Sequence, residues 1–589
     1  MKYPILKYYL LLFTMLYCSL VFCQKTYLLN IIVNNEQKSI LNKYSFKKEF
    51  KDTLSRKQEV KNLLHTLWND GYITASVDSI VKKDSNKISS YLNIGKKYLW
   101  VKLKKGNVGD ALLQEAGYKE KIFNGKHVDY RDVSMLNEKI IKYCENNGYP
   151  FASVKLDTFS FTDSSITASL NISKNKMIVI DSVVLRGKVK LSKTYLYNYL
   201  GIKPGDLYNE SRVADISKRI KELQFMKEIR PFNIIFNNNK ATIVIFAEKK
   251  KSSQADGIIG VAPNAQTLGT PQTSGKLMVT GQVTLNLINS FYKGEMIDLN
   301  WQKLQPRTQQ LNTGFVYPYL FKTPFGFDFK FNLYKDDTLY LNLQTSIGIR
   351  YNFTGNNYIK PFYENQTTSL ISTSQYKDAT ALPNILDISS NMYGIEYKLQ
   401  NLDYLYNPRR GYDMLISGSV GTMQIHKNSA INDTLYNTIK LNSTQYKFTA
   451  LLNFYIPLFT KSAIKLGLNA ASLQGKDMFE NEFFRIGGLN TLRGFDEVSI
   501  YASTYGIGTV EYHFIFEQNS YLFAFWNGAY YESKAVKKFV HDTPYGFGVG
   551  VSFETKAGIF SLSYALGKQF NNPIIFKQAK ISFGIVNYF

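Results

Sequence analysis

Apolar and polar residues alternate, segment after segment, from Ala255 to the end of the chain. Between positions 325 and 333 the odd positions hold Phe or Leu, whereas the even positions hold Gly326, Asp328, Lys330 and Asn332. Successive side chains of a strand point to opposite faces, so such a segment forms a strand with one apolar face. About sixteen segments of this kind follow one another. They predict a 16-stranded antiparallel transmembrane β-barrel over residues 254–589.

The composition agrees with a chain that crosses a membrane as strands. There are 43 Tyr and 40 Phe, but no apolar run of membrane-spanning length follows the first 25 residues. A transmembrane strand needs only about ten alternating residues. A soluble β-sandwich also alternates, but it rarely carries so many aromatic and leucine side chains on an exposed face.

The formal net charge of +25 does not indicate a nucleic-acid binder. Lysines are spread over the whole chain, and the only short run is Lys249, Lys250 and Lys251. Nucleic-acid-binding proteins usually gather basic residues into a patch or a recognisable motif. Two interpretations stay open, attraction to anionic lipid head groups and a general richness in lysine.

The first 23 residues are typical of a secretory signal peptide. Lys2 and Lys7 precede an apolar stretch, and Val21 and Cys23 occupy the −3 and −1 positions for cleavage before Gln24. A retained anchor helix and lipidation of Cys23 are the alternatives. After cleavage Cys144 would be the one remaining cysteine, so we expect no intramolecular disulfide.

Residues 25–250 contain a repeated unit of about 75 residues. The dipeptides Gly71-Tyr72 and Gly148-Tyr149 each follow an amphipathic helical pattern and precede an Ala-Ser-Val run. The two glycines fall where a helix would end in a left-handed cap. On the second helix, Cys144 occupies an apolar position and is expected to be a core residue.

A third unit keeps the plan in the order β-α-α-β-β, and this order resembles the POTRA domain. The sequence then divides into a signal peptide (1–23), three POTRA-like domains (24–97, 98–176 and 177–250) and the barrel (254–589). The fold class is therefore α+β modules in tandem followed by a barrel. Such modules can bind other chains by adding a strand to a sheet edge, and service as spacers is the alternative.

Several short sequence motifs of the barrel resemble motifs of a known family. The connection between predicted strands eleven and twelve contains Leu492-Arg493-Gly494-Phe495. Asn407-Pro408-Arg409-Arg410-Gly411 resembles an Asn-Pro-x-x-Gly turn, and Glu511-Tyr512-His513-Phe514 resembles a Glu-Tyr-Arg-Phe strand. With these motifs and its three modules, the chain resembles the BamA/TamA superfamily (the bacterial surface antigen family). TamA-like members are closest to it in module number.

The resemblance implies roles for particular residues. It implies that the Arg493 loop folds back into the barrel and that Arg493 contacts Glu511. The second acid of the family pattern is replaced by Asn527, which accepts hydrogen bonds but carries no charge. We therefore expect Glu511 alone to hold Arg493. The last segment, with Phe583, Ile585 and the terminal Phe589, resembles the sorting signal of outer-membrane barrels.

The resemblance also implies a function in the bacterial outer membrane, with the N-terminal domains in the periplasm of a Gram-negative cell. We expect an assembly, insertion or translocation factor that templates client strands at the seam between the first and last barrel strands. Expected partners are unfolded outer-membrane or exported proteins bound at POTRA edges, outer-membrane lipids, and an inner-membrane or periplasmic protein. A two-partner-type secretion pore is the alternative, followed by a passive porin.

Enzymatic activity is not expected. The five His residues are scattered without metal-ligand spacing, and Ser417-Gly418-Ser419-Val420-Gly421 lacks the first glycine of a nucleophile elbow. No phosphate-binding glycine loop occurs. We predict no catalytic residue, no metal and no cofactor.

Overall fold

A computed structural model describes residues 26–586, except 264–276 and short gaps. The gaps are 124, 127–128, 163–164, 306–307, 337–338, 354, 378, 406, 490, 497, 518, 537, 556–557, 571, 575 and 577–578. The predicted signal peptide and Phe589 thus lie outside the described residues. Among the described helices, none is long and apolar enough to span a membrane.

One compact unit extends to Val179 and includes Leu207–Glu210. Its strands are β1 (Tyr27–Ile32), β2 (Glu49–Phe50), β3 (Ser76–Lys82), β4 (Lys87–Asn93), β5 (Leu99–Lys104), β6 (Ser153–Thr162) and β7 (Ser165–Ser173). They form two sheets with the strand orders β2-β1-β4-β3 and β5-β7-β6. The α-helices are Lys38–Leu41, Thr53–Asn69, Asp110–Glu115, Glu120–Phe123 and Tyr130–Asn146.

The two Gly-Tyr dipeptides form the same kind of corner, one in each of the two modules of this unit. Gly71 and Gly148 have φ values of 95° and 92°, so each long helix ends in the left-handed region that favours glycine. In both corners the following tyrosine N–H reaches back to the helix, as in Tyr149 N to Cys144 O at 2.9 Å. Cys144 is 1% exposed in the second core, and burial raises the pKa of its thiol.

The second compact unit holds Ile180–Asp206 and continues from Ser211. It begins with a sheet of order β8-β10-β9, formed by β8 (Val179–Arg186), β9 (Met226–Asn237) and β10 (Lys240–Lys249). The helices between β8 and β9 are Lys193–Leu200, Glu210–Ala214 and Ile216–Glu222. The predicted second helix is thus split at Asp215, and its apolar side chains Val213, Ile216 and Ile220 are buried.

Most of the rest of this unit is one antiparallel sheet, which has 17 strands within the described residues. Two of them, Lys538–Asp542 and Tyr545–Thr555, pair with the C-terminal and N-terminal halves of the same strand, Ser520–Ala535, so the strands fill sixteen positions as predicted. The strands are β11 (Gln254–Pro263), β12 (Leu277–Ile288), β13 (Met296–Gln305), β14 (Thr308–Tyr317), β15 (Phe325–Asp336), β16 (Tyr340–Asn352), β17 (Tyr358–Leu370), β18 (Asp387–Leu402), β19 (Gly411–His426), β20 (Asn442–Phe459), β21 (Ser462–Gln474), β24 (Thr504–Glu517), β25 (Ser520–Ala535), β26 (Lys538–Asp542), β27 (Tyr545–Thr555), β28 (Gly558–Lys568) and β29 (Lys580–Val586).

The alternating apolar and polar residues lie on opposite faces of this sheet. Phe325 is 46% exposed, whereas Asp328 in the same strand is 1% exposed. On the inner face Asp328 pairs with Arg350 and lies 3.4 Å from the Nζ of Lys360, which also contacts Glu396 at 2.8 Å. Burial of these charges is tolerated because each has a partner of opposite sign.

Three short strands lie where the sequence predicted only connections. They are β22 (Phe484–Ile486) and β23 (Ile500–Ala502), which pair with each other, and β26, which extends the β25 hairpin. In the described part of the barrel connections there are four 3₁₀ helices, Leu320–Lys322, Ser374–Tyr376, Asp433–Thr438 and Glu480–Glu482. A strand of three residues is too short to show an alternating pattern, so β22 and β23 cannot be recognised from the sequence.

The third module is fastened to the barrel turns by aromatic packing. Tyr195 lies on the helix Lys193–Leu200, with its ring 5.3 Å from that of Tyr319 and 5.4 Å from that of Tyr199. Tyr199 O accepts a hydrogen bond from Gly355 N at 3.2 Å, and Ser192 N donates to Tyr292 O at 2.8 Å. Side-chain packing and main-chain hydrogen bonds together fix this joint.

Candidate functional site: an arginine loop inside the barrel

The connection 475–503 between β21 and β24, here called the inward loop, lies against the inner face of the barrel. Its β22–β23 hairpin contributes Ile486, Leu492 and Ile500 to a buried apolar cluster. The barrel wall completes this cluster with Ile507 of β24 and Tyr531 of β25. Leu492 is 0% exposed. Apolar burial therefore holds the loop to β24 and β25 before any polar contact is considered.

Arg493 makes three contacts with the wall. Its NH1 lies 2.6 Å from Glu511 Oε2, and its Nε donates to Asn527 Oδ1 at 2.9 Å. Its guanidinium carbon lies 3.5 Å from the centroid of the Phe525 ring. A planar guanidinium suits this site because it offers several donors and a face for stacking at once.

The structure thus brings Arg493 to both residues that the resemblance named. The expectation that Glu511 alone would hold Arg493 is wrong, because Asn527 accepts a hydrogen bond from Nε. Asn527 is itself oriented by donating to Thr509 Oγ1 at 2.6 Å. The side-chain amide of Asn527 keeps an acceptor oxygen, as the acid of the family pattern would, and its NH2 group acts as a donor.

Basic side chains lie around Glu511. His513 Nε2 lies 2.5 Å from Glu511 Oε1, on the oxygen that Arg493 does not contact. Lys465 lies directly opposite Glu511 in the β21–β24 register. Outward residues of the same strand, Val510 and Tyr512, are 46% and 40% exposed. The carboxylate therefore faces the lumen, with three basic side chains around it.

Glycines let the loop backbone touch the wall beside Arg493. Gly494 has φ 96°, and a β-carbon there would lie 2.5 Å from Leu566 O. A β-carbon at Gly546 of β27 would lie 1.9 Å from Arg493 O, and one at Gly567 of β28 would lie 2.6 Å from Gly494 O. Arg493 and Gly494 therefore lie directly against main-chain atoms of β27 and β28. A side chain at any of the three glycines would prevent this contact.

Phe495 completes the predicted motif. It is half-buried against the cluster that contains Leu492, and its Cε2 lies 2.9 Å from where a β-carbon of Gly567 would be. Just beyond it, Asp496 Oδ1 lies 2.7 Å from Lys580 Nζ at the start of the terminal strand β29. The loop tip therefore contacts the wall from β24 to β29.

A second arginine of the loop was missed by the sequence reasoning. Arg485 of β22 donates from NH2 to the hydroxyl oxygen of Tyr340 at 2.5 Å, and its guanidinium carbon lies 3.7 Å from the ring centroid of Tyr334. These tyrosines belong to β15 and β16, on another part of the wall. The only signal in the sequence was an arginine between two apolar residues, Phe484 and Ile486.

The other predicted site residues lie elsewhere in the fold. Gly71, Tyr72, Gly148 and Tyr149 form helix-end corners, and a lysine covers each tyrosine ring, Lys97 at 5.7 Å and Lys174 at 5.5 Å from the ring centroids. In β29, Phe583 is opposite Leu562 and Ile585 is opposite Phe560 in the register with β28. The sorting role of this strand stays a prediction.

The fold and this loop define a class of protein, an antiparallel membrane barrel with an arginine-anchored internal loop, preceded by small α+β modules. The Omp85 superfamily domain model matches residues 289–589, and the POTRA model (surface antigen variable number repeat) matches residues 178–247. The chain belongs to the Omp85 superfamily of outer-membrane β-barrels. This confirms the predicted BamA/TamA-type membership.

Three solved structures are similar to this chain at low sequence identity. BamA from Haemophilus ducreyi lacking POTRA domains 1-3 is 14% identical and aligns over 83% of this chain and 100% of that chain, with a TM-score of 0.40. CdiB from Acinetobacter baumannii is 12% identical over 91% and 98%, with a TM-score of 0.48. CdiB from Escherichia coli is 11% identical over 91% and 98%, with a TM-score of 0.50. No curated protein matches the chain in sequence.

Proposed function

We propose that this protein inserts or translocates unfolded client proteins at the outer membrane. The observation that carries the proposal is the contact of the inward loop with the last strands of the barrel, in a chain of the Omp85 superfamily. Within the described residues, the ladder runs from β11 to β29, so these two strands are the ends of the sheet. A fully closed barrel has no free edge, so a client strand can add to the sheet only where the seam between its first and last strands opens.

The sequence of the terminal strands agrees with a weak seam. β11 contains Gly257, Gly260 and Pro263, and β29 contains Gly584. Glycine weakens a strand, and proline cannot donate to a ladder. A seam built from such strands opens at a lower free-energy cost than one between two strands rich in β-branched residues.

The inward loop lies beside this seam. Its tip packs on β27 and β28 through Gly546 and Gly567, and Asp496 pairs with Lys580 of β29. A change in loop position therefore changes contacts of the last strand. This supports a mechanism in which the Arg493 loop holds the seam side of the barrel in register until a client arrives.

The small modules would meet clients first, in the periplasm. Their sheets end in the edge strands β3, β6 and β9, each paired on one side within the described residues. An extended client segment can add to such an edge through main-chain hydrogen bonds. An inner-membrane or periplasmic partner would use the same kind of edge.

Insertion into liposomes tests the proposal. A cysteine pair across β11 and β29, made with Cys144 replaced by alanine, should abolish insertion of an unfolded barrel client when oxidised and restore it on reduction. A matched pair at Leu285 and Leu299, which face each other in the β12–β13 ladder, should leave insertion unchanged. Full insertion by the oxidised seam pair would contradict the proposal.

A secretion pore for a dedicated exported protein is the second candidate. A cavity of about 490 Å³ lies on the β12–β20 part of the inner wall, with polar lining that includes Asp298, Asn312, Lys330 and Glu364. This cavity favours passage through the lumen. In the liposome experiment, export of a client without membrane insertion, unaffected by the seam disulfide, would favour the pore.

A further inference from the structure

Arg485 is held by an aromatic cage. Its guanidinium carbon lies 3.7 Å from the ring centroid of Tyr334, 5.7 Å from that of Tyr340 and 5.6 Å from that of Tyr501. Tyr334 and Tyr340 flank the turn between β15 and β16, whereas Tyr501 is opposite Arg485 in the β22–β23 hairpin. The cage therefore joins the loop to a part of the wall that Arg493 does not reach.

The chemistry of this cage differs from that at Arg493. Tyr340 is 2% exposed and Tyr334 is 8% exposed, so the cation sits against ring faces that are removed from water. The hydroxyl oxygen of Tyr340 accepts from NH2, while Nε has no hydrogen-bond partner among the described residues. Cation–π attraction grows when the cation is desolvated, so ring faces replace the carboxylate used at the other site.

Other contacts fasten the same end of the loop to the same part of the wall. The amide of Asn481 donates to Leu386 O at 3.0 Å and accepts from Leu386 N at 3.4 Å. Glu482 Oε1 accepts from Gln445 Nε2 of β20 at 2.6 Å. The residues 481–485 are thus bound to the wall between β15 and β20.

We infer that Arg485 is a second positioning residue, which anchors the inward loop to β15 and β16 while Arg493 anchors its tip to β24 and β25. The loop then crosses the lumen with one arginine anchor on each side of the barrel. Release of one end leaves the other in place, so complete displacement of the loop requires both anchors to break. The inference rests on the proposed function only in that the loop must move when the barrel works.

Conductance in planar lipid bilayers tests this role without any client. We expect R485A to raise the open probability of the purified full-length protein by about tenfold, the range set by one desolvated cation–π contact. R493A should also raise it, and the double variant should exceed either single one. K538A is the matched control, since Lys538 approaches Glu480 of the same loop at 4.0 Å but is 62% exposed.

Variants of the cage keep the test decisive if R485A fails to fold. Tyr334→Leu removes the ring face and should raise the open probability more than Tyr340→Phe, which removes only the hydroxyl group. R485K keeps the charge without the planar group and should restore only part of the closed state. Open probabilities of R485A and Tyr334→Leu equal to that of K538A, in barrels with unchanged heat stability, would overturn the inference.

This experiment is separable from the test of the proposed function. Loss of client insertion on seam locking does not depend on conductance, and a conductance change in R485A does not depend on clients. A negative result in one leaves the other standing.

Discussion

The α-carbon of Gly494 lies so close to the main chain of Leu566 that a β-carbon on Gly494 would be 2.5 Å from the Leu566 carbonyl oxygen. Gly494 also has φ 96°, a conformation that side chains rarely adopt. The residue after Arg493 is therefore fixed as glycine by both the turn and the wall. Because this contact fixes the main chain directly after Arg493, it also positions the arginine side chain beside Glu511.

Gly494→Ala should lift the loop tip from β28 and impair client insertion while the barrel still forms. Positive φ alone costs a non-glycine residue about 1–3 kcal/mol, and the clash with Leu566 adds to this. Insertion into liposomes measures the effect, and heat-modifiable mobility on gels checks the barrel. The control is Gly506→Ala in β24, because a β-carbon at Gly506 would meet no atom within 4 Å. Equal activity of the two variants would show that the close approach is unimportant.

Glu511→Gln should destabilise the loop more than Asn527→Ala. Glu511 is the carboxylate among Arg493, His513 and Lys465, and losing it leaves buried positive charge uncompensated, at about 3–5 kcal/mol. Asn527→Ala removes one acceptor from Arg493, at about 1–3 kcal/mol. The rate of hydrogen exchange at the amides of residues 492–495 measures both effects. The order of the two variants, rather than either value, decides the prediction.

Much of the barrel could be predicted because its signal is local. A polar residue such as Asp328 between Phe327 and Phe329 already assigns an inner and an outer face, whatever the neighbouring strands are. The Arg493 contacts were accessible through resemblance, since Asn527 is only 34 positions away and lies in a recognisable strand. The hydrogen bond that Asn527 provides depends on a side-chain rotamer, and the sequence could not supply that.

The Arg485 cage could not be predicted from the sequence for a physical reason. Arg485 and Tyr340 are 145 positions apart, and neither lies in a pattern that distinguishes it from other inward residues. Their contact depends on where the loop crosses the lumen, which is set by the curvature of the whole sheet. The division of the third module's second helix at Asp215 was likewise invisible, because the apolar spacing of Val213, Ile216 and Ile220 continues through the break.

Tyr195→Ala should loosen the third module from the barrel. Tyr195 is buried, and a β-carbon on Gly294, the turn residue it covers, would lie 1.9 Å from its Cε2. Loss of a buried aromatic ring costs about 3–5 kcal/mol. Hydrogen exchange in the helix Lys193–Leu200 should accelerate. Tyr197→Ala is the control, since Tyr197 is on the same helix but only half-buried. Similar acceleration in both variants would mean that the helix, rather than the joint, had been destabilised.

The attachment of the inward loop should weaken as the pH rises, because of Glu482. This carboxyl group lies in the loop, outside the barrel strands, and burial raises its pKa from the usual 4.5 to about 7. The folded loop thus binds a proton that the detached loop releases, so the stabilisation is complete below about pH 4.5 and is lost as the pH passes through about 7. The full difference in free energy amounts to roughly 3.4 kcal/mol.

Glu482→Gln removes this dependence and keeps one acceptor oxygen in place of the two that receive hydrogen bonds from Gln445 Nε2 at 2.6 Å and from Phe479 N at 3.0 Å in the native protein. We expect hydrogen exchange at residues 479–485 of the native protein to accelerate between pH 5.5 and pH 8 beyond the intrinsic chemical rate. In Glu482→Gln the corrected rates should be flat over this range. The partly exposed loop residue Asp477 provides the comparison, because Asp477→Asn should retain the native slope. An unchanged slope in Glu482→Gln would assign the pH dependence to another group.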